Sequence, residues 1–205
     1  MRRRTKEERT AASSEAMLNA AVELIFEEGT RASMMEIGRR SGFSHSLLTA
    51  RFGSKDGLLA AAVEEIRRRY HAELSTSLEQ KAGIDALAVL VDTSFRSWSD
   101  RTIASRAYFT LIGEALGGNG TIEKAFKSAD NAIRARLTAI IDDAKARGEI
   151  DRAWSTAGCA SLFLGLMRGV GMQAKLDPDN VDIATIRETA HHLIRSLRAA
   201  PSEAP

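Results

Sequence analysis

Apolar residues recur at intervals of three and four along most of the chain, which is the spacing of an amphipathic α-helix. The first clear stripe consists of Met17, Ala21, Leu24 and Ile25. It ends near Gly29, a residue suited to a helix C-terminus. The same spacing predicts further helices over 54–75, 84–99, 101–116, 126–144, 154–175 and 182–198. Two short helices between residues 33 and 53 bring the count to about nine, and no segment shows the alternation of a strand. The chain is therefore predicted to be all-α.

The two short helices are separated by a glycine turn. Ser33 and Glu36 have the spacing of a capping box, in which each side chain accepts a hydrogen bond from the backbone amide of the other residue. Gly38 stands where two crossing helices approach closely, and Gly42 falls in the turn between them. This arrangement is typical of a helix-turn-helix, whose second helix enters the DNA major groove. A helical hairpin inside an ordinary bundle is the alternative.

The N-terminal third of the chain resembles the tetracycline-repressor (TetR) family of transcriptional regulators. Residues 17–29 resemble that family's first helix, and residues 32–44 are similar to its second helix and turn. The recognition helix and the start of the fourth helix are matched by Leu48, Phe52, Ser54, Lys55, Leu58 and Leu59. The resemblance implies a helix-turn-helix DNA-binding domain, expected at 1–55, and a helical effector-binding and dimerisation domain at 56–199. Residues 200–205 are predicted to be a disordered tail.

The chain departs from the family inside the recognition helix. Family members usually carry two consecutive aromatic residues before a His-Phe pair, whereas this chain has Thr49-Ala50 before Arg51-Phe52. A Lys-Gly pair that is common in the family is replaced here by His45-Ser46. The phosphate contacts of those aromatic residues are therefore not carried over, and Arg51 is expected to replace them in part.

The resemblance implies a set of DNA-binding residues. We assign phosphate contacts to Ser33, Arg51 and Lys55, because helix N-termini and cations attract phosphate. The side chains expected to read base edges are Ser44, His45, Ser46 and Thr49. The basic arm that contains Arg4 is expected to enter a minor groove or to lie along phosphates. For each of these residues the alternative is a solvated surface group.

Charge is consistent with a polyanionic partner. The 205 residues have a net charge of only +2, but residues 1–69 hold 13 Lys and Arg against 10 Asp and Glu. The remainder holds 16 against 17. A basic end beside a neutral remainder is a mild indication of nucleic-acid binding. We expect a cytoplasmic protein without membrane association, since no secretory signal is visible and the apolar stretch 157–167 is too short to span a bilayer.

The remaining residues predict no catalytic site. Cys159 is the only cysteine, so an internal disulfide and a multi-cysteine metal site are excluded. His191 and His192 are adjacent, and neighbouring side chains on a helix point about 100° apart, so the pair is not expected to share a metal. We therefore expect no cofactor and no enzymatic activity. A helical-bundle enzyme remains the alternative that turnover without DNA binding would favour.

Two features of the C-terminal part point to an effector and to a second subunit. Aromatic and apolar residues expected to line a cavity for a small apolar effector are Phe95, Trp98, Tyr108, Phe109 and Met172. A plain packed core is the alternative. The segment 157–167 has no polar face, so it must be covered on both sides, and one side is predicted to meet a second subunit. With the helix at 126–144, the expected interface contains Ile133, Leu137, Ile140, Leu162, Gly165, Leu166 and Gly169.

These expectations combine into one functional hypothesis. The chain is predicted to be a ligand-responsive transcriptional regulator, with a repressor favoured over an activator. It would bind a palindromic double-stranded operator as a homodimer and be released by a small-molecule effector. An effector-independent DNA-binding protein is the first alternative.

Overall fold

The structure, a computed structural model, describes residues 5–99 and 102–198 of the chain. Within these ranges it contains nine α-helices, one short 3-10 turn and no strand apart from an isolated bridge between Ile150 and Arg198. The helices are α1 Lys6–Glu28, α2 Met34–Ser41, α3 His45–Phe52, α4 Lys55–Ser77, α5 Gly83–Ser99, α6 Ile103–Leu116, α7 Gly120–Ala146, α8 Thr156–Leu176 and α9 Ile183–Ser196. The all-α prediction is confirmed. Among the described residues, no helix is both long enough and apolar enough to cross a membrane.

The predicted signals around α2 are present in the structure. The Ser33 hydroxyl accepts a hydrogen bond from the Glu36 amide at 3.2 Å, and the Glu36 carboxylate accepts one from the Ser33 amide at 2.7 Å. Gly42 ends α2 in the left-handed conformation, with φ of 78°. Residues other than glycine adopt this backbone conformation only at a cost in free energy. The capping box and the glycine turn are therefore confirmed.

The first helix begins much earlier than the apolar stripe indicates. α1 starts at Lys6, and Thr5 and Glu8 form a capping box at its N-terminus. The residues from Lys6 to Ala12 are exposed, and Met17 is the first buried residue of the helix. Such a solvated extension has no apolar periodicity, and its only local start signal is the Thr-x-x-Glu spacing of Thr5 and Glu8.

The chain forms two compact units, each assembled from two stretches of sequence. The described residues of unit 1 are 5–68 and 102–128, and those of unit 2 are 69–99 and 129–198. The boundary predicted after residue 55 divides the chain along the sequence and stays a prediction, as does the tail at 200–205, which lies outside the described residues.

Unit 1 has its own apolar core. Helices α1, α2, α3 and the start of α4 bury Met17, Ala20, Ala21, Leu24, Ile37, Leu48 and Leu58 together. α6 packs against α1, and the Arg106 guanidinium lies 5.6 Å from the centroid of the Phe26 ring. Thr30 donates a hydrogen bond to the carboxylate of Glu114. The helix-turn-helix is thus supported by a later segment of the chain.

Unit 2 has a larger core, in which α5 packs against both α8 and α9. The fully buried side chains at its centre include Leu74, Leu87, Leu90, Val91, Leu137, Ile141 and Ala160. Phe95 and Phe163 are almost completely buried in the same cluster.

Candidate nucleic-acid interface

The crossing of α2 and α3 depends on a glycine. A Cβ atom on Gly38 would lie 2.8 Å from the Phe43 carbonyl oxygen, a backbone atom that cannot move aside easily. The Phe43 amide donates to the Gly38 carbonyl at 2.9 Å, so the two segments are hydrogen-bonded at this point. The close approach predicted from the sequence is confirmed, and it sets the position of α3 against α2.

α3 has one buried face and one exposed face. Leu48 is completely buried, and Phe43 and Phe52 pack partly buried against the same core. The residues on the exposed side include His45, Ser46, Thr49 and Ala50. The exposed side chains predicted to read base edges therefore share the solvent-facing side of one short, well-anchored helix.

The hydroxyl groups of α3 and its N-cap are already engaged. Ser44 is the N-cap, and its hydroxyl accepts a hydrogen bond from the Leu47 amide at 3.2 Å. The Ser44 and Ser46 hydroxyl oxygens are 3.1 Å apart and form a further hydrogen bond. The Thr49 hydroxyl donates to the His45 carbonyl at 3.0 Å. Only His45 presents a polar group on this face without a side-chain hydrogen bond among the described residues.

Arg51 is directed at α1. Its guanidinium donates to the Thr10 carbonyl at 2.9 Å and to the Ser14 hydroxyl. Both partners lie in the N-terminal half of α1, before its first buried residue. In the free protein Arg51 therefore connects the recognition helix to the start of α1, and the predicted phosphate contact is not tested by this geometry.

The other predicted phosphate contacts lie at helix N-termini. Ser33 is half-buried at the start of α2, and its hydrogen bonds hold the pKa of the Glu36 carboxyl below its usual value. Lys55 is the first residue of α4 and is partly exposed. The cap of α4 is Ser54, whose hydroxyl accepts a hydrogen bond from the Gly57 amide at 3.0 Å. Arg4 lies outside the described residues.

Unit 1 has two further features that the predictions from the sequence do not include. Gly57 is required by packing, because a Cβ there would lie 2.1 Å from the Phe52 carbonyl oxygen. Arg40 on α2 donates two hydrogen bonds to Glu27 on α1, at 2.9 and 2.7 Å. The hydrogen bonding from Arg40 is the main reason why the pKa of the Glu27 carboxyl is lowered. A glycine in the first turn of a helix was an available signal, whereas no sequence pattern pairs Arg40 with Glu27.

The five predicted effector residues are divided between the units. Tyr108 is buried in unit 1, where its ring makes edge contacts with Phe109 and Phe126. In unit 2, Phe95 is a core residue, and Trp98 stacks on Tyr70 with 6.1 Å between ring centroids. Met172 is 49% exposed. A polar cleft of about 460 Å³ in unit 2 is lined by none of the five, but by Asp92, Arg187, Glu188, His191, His192 and Arg195.

The seven residues predicted to form the dimer interface differ in how exposed they are. Ile133 and Leu137 are buried in the core of unit 2, so they face inward in the single chain. Leu162 is 58% exposed, and Gly165 is exposed on the same side of α8. The partly exposed members are Ile140, Leu166 and Gly169. The exposed side of α8 is therefore open to solvent in the single chain, whereas Ile133 and Leu137 are covered within their own unit, and the interface stays a prediction.

Comparison with known proteins relates the chain to bacterial regulators. Residues 17–62 match the family model described as bacterial regulatory proteins of the tetR family. Residues 83–190 match a model described as a tetracyclin repressor-like C-terminal domain. Together the two models cover most of the chain. No curated protein sequence matches it significantly.

Solved structures have the same fold at low sequence identity. A protein from Rhodococcus sp. assigned as a TetR-family transcriptional regulator is 21% identical, with a TM-score of 0.81 over 92% of this chain and 100% of that one. A protein from Pseudomonas aeruginosa PAO1 assigned as a transcriptional regulator is 19% identical, with a TM-score of 0.78 over 95% and 92%. One from Saccharomonospora viridis, solved with choline, is 17% identical, with a TM-score of 0.76 over 90% and 96%. Both sequence models and the shared fold lead to one assignment: the chain belongs to the TetR family of DNA-binding transcriptional regulators.

Proposed function

We propose that the protein is a homodimeric repressor that binds a palindromic operator and is released by a small-molecule effector. The observation that carries this proposal is the exposed face of α3. Apart from Leu47 its exposed side chains are small or polar, the helix is anchored from behind by Leu48, and α3 is held at a close crossing with α2. A helix of this kind fits a DNA major groove.

The dimer is supported by the exposed apolar side of α8. Leu162 and Leu176 are exposed large hydrophobic residues on this helix, and Gly165 lies between them in the sequence. Covering such a surface with a second copy removes it from water, and a two-fold dimer presents two recognition helices symmetrically. A symmetric pair of recognition helices requires a palindromic site.

The effector belongs to the C-terminal region, which matches the tetracyclin repressor-like domain. The similar protein from Saccharomonospora viridis holds choline, which supports a small-molecule ligand for this chain without identifying it. We propose that Phe95, Trp98, Tyr108, Phe109 and Met172 contribute to its binding. Effector and operator would oppose each other by linkage, since each favours a different conformation of the dimer. No catalytic activity is part of this proposal.

Selection of bound sequences from a random DNA pool tests the DNA-binding function. We expect a single enriched palindrome, bound by two protomers, with affinity well above that for random DNA. Equal affinity for selected and random duplexes would support a non-specific DNA binder and contradict the proposal. Turnover of a substrate without any DNA binding would instead support a helical-bundle enzyme.

A second experiment tests the effector. Small apolar compounds are screened by quenching of Trp98 and Trp154 fluorescence, and each compound that binds is then added to the protein–operator complex. We expect saturable binding and release of the operator by the same compound. Saturable binding that leaves the affinity for the operator unchanged would contradict the proposed coupling, because linkage between the two sites is reciprocal.

A further inference from the structure

The exposed side of the recognition helix is unusually poor in charge. Ser46, Thr49 and Ala50 are exposed at relative positions i, i+3 and i+4, so they lie on one side of α3. Leu48, which is fully buried, marks the opposite side. The centre of the surface presented to a groove is therefore made of two short hydroxyl side chains and one methyl side chain, with the exposed His45 and Leu47 at its two edges.

The hydroxyl groups on this surface form hydrogen bonds within the protein. The Thr49 hydroxyl donates to the His45 carbonyl at 3.0 Å, and Ser46 shares a hydrogen bond with Ser44 at 3.1 Å. Thr49 is an exposed residue, its oxygen can still accept a hydrogen bond, and the other branch of its side chain is a methyl group. Thr49 and Ala50 follow one another along the helix, so their side chains diverge by about 100° on the two flanks of Ser46, and each offers a methyl group to a groove. We call these two methyl groups the methyl patch.

A guanine contact of the usual kind is absent from this surface. The commonest base-specific contact pairs Arg or Lys with guanine O6 and N7. α3 contains one such residue, Arg51, and its guanidinium is bonded to Thr10 and Ser14 of α1. In the free protein the recognition helix therefore presents apolar groups, the hydroxyl oxygens and the His45 ring as its means of distinguishing bases.

We infer that Thr49 and Ala50 determine the specificity of this protein by reading the C5-methyl group of thymine in the major groove. The inference rests on the proposed operator-binding function and adds the chemistry of the base that is read. The methyl group of thymine is the apolar feature of the major groove, and small apolar side chains contact it. Each half-site of the operator therefore contains a T·A pair whose methyl group packs against the methyl patch.

Replacing single thymines by deoxyuridine tests the inference, because the change removes only the methyl group and keeps every hydrogen-bonding atom of the base. The operator is first obtained by selection from a random pool and is then scanned one thymine at a time in both half-sites. We expect one symmetric position at which the substitution weakens binding about fourfold per half-site, and roughly fifteenfold when both are changed.

Two protein variants connect that position to the methyl patch. Thr49→Ser removes one methyl group and retains the hydroxyl that bonds to the His45 carbonyl. Ala50→Gly removes the other. We expect each variant to reduce the difference between thymine and deoxyuridine at the sensitive position, with little change in affinity for random DNA. Thr76→Ser in α4 is the matched control, because Thr76 is exposed and its hydroxyl donates to the Ala72 carbonyl in the same i to i−4 geometry.

The outcomes separate this inference from the proposed function. If no sequence is enriched from the pool, the proposed function fails. If a palindrome is enriched but no deoxyuridine substitution changes its affinity, the function stands and the methyl patch is wrong. The inference is also overturned if a thymine position remains fully sensitive in both Thr49→Ser and Ala50→Gly.

Discussion

Arg51 has two candidate roles, positioning of α3 and contact with phosphate. Its guanidinium is bonded to the Thr10 carbonyl and the Ser14 hydroxyl, which leaves it in the free protein as a link between α3 and α1. The sequence alone favoured a phosphate contact, since Arg51 lies near the end of the recognition helix. The two roles differ in their response to salt, because only a contact with phosphate releases counterions from DNA.

Replacing Arg51 by Ala decides between the two roles. If Arg51 positions α3 through α1, affinity for the operator falls, but the slope of log affinity against log salt stays as in the wild type. Ser14→Ala is expected to reproduce part of the loss and to add nothing when Arg51 is already absent. A salt slope that falls by about one per subunit would show that Arg51 contacts phosphate and would contradict the positioning role.

Gly38 is the residue on which the α2–α3 crossing depends. Gly38→Ala places a Cβ 2.8 Å from a backbone oxygen, so we expect the free energy of unfolding to fall by about 1–3 kcal/mol. Gly113→Ala in α6 is the matched control, because a Cβ there meets no atom within 4 Å and is expected to stabilise the helix by up to about 1 kcal/mol. Chemical denaturation measures both, and equal stability of the two variants would contradict the close approach.

At the scale of an element, the start of α5 is held by two carboxylates from outside the helix. Asp143 accepts a hydrogen bond from the Gly83 amide at 2.8 Å, and Glu149 accepts one from the Ile84 amide at 2.7 Å. Free amides at a helix N-terminus need such acceptors. The bond from Gly83 is the main reason why the pKa of Asp143 is lowered, and Arg147 lowers it further.

The lowered pKa makes this contribution to stability depend on pH. A carboxyl whose pKa is lower in the folded state stabilises the fold above its unfolded pKa, and the stabilisation is lost as pH falls through the folded value. We therefore expect Asp143→Asn to be less stable than wild type at pH 7. The difference should shrink as pH falls below 3.8, the ordinary value for the carboxyl.

Urea denaturation across this pH range measures the effect. Asp179→Asn is a suitable control, because Asp179 is exposed between α8 and α9 and has no side-chain hydrogen bond among the described residues. A stability difference for Asp143→Asn that stays constant from pH 7 to below 3 would contradict the assigned cause.

At the scale of the whole molecule, the exposed side of α8 leads to a prediction about assembly. Gly165 is exposed, and a Cβ there meets no atom within 4 Å, so a larger side chain leaves the fold of the single chain undisturbed. In a dimer through this face, Gly165→Arg buries an unpaired charge at the contact, which costs on the order of several kcal/mol. We expect the variant to be a folded monomer.

Sedimentation equilibrium at micromolar protein measures this change. The wild type is expected at twice the chain mass of 22.3 kDa, and the variant at the mass of one chain. Gly113→Arg in α6 is the control, since that glycine is also exposed with open space around it. A monomeric wild type, or a dimeric Gly165→Arg, would exclude this face as the interface.

Features that depend on neighbours along the chain could be predicted from the sequence. The capping box at Ser33, the turn at Gly42 and the helices after them follow from contacts within a few residues, which the spacing of residue types records directly. The start of α1 is the exception, because its first turns are solvated and carry no apolar period. The helix-turn-helix and the family resemblance could be predicted as well, because they too rest on residues that are close together in the sequence.

Contacts between side chains that are far apart in the sequence depend on the fold and could not be predicted from the sequence. The partners of Arg51 lie 37 and 41 residues away, and no periodicity indicates them. A helical period shows that Leu137 and Leu162 each belong to an apolar face, but not what covers that face. Leu137 is buried in its own unit, whereas Leu162 is exposed. The difference arises because burial depends on the packing of separate helices, and that packing is decided by the whole fold.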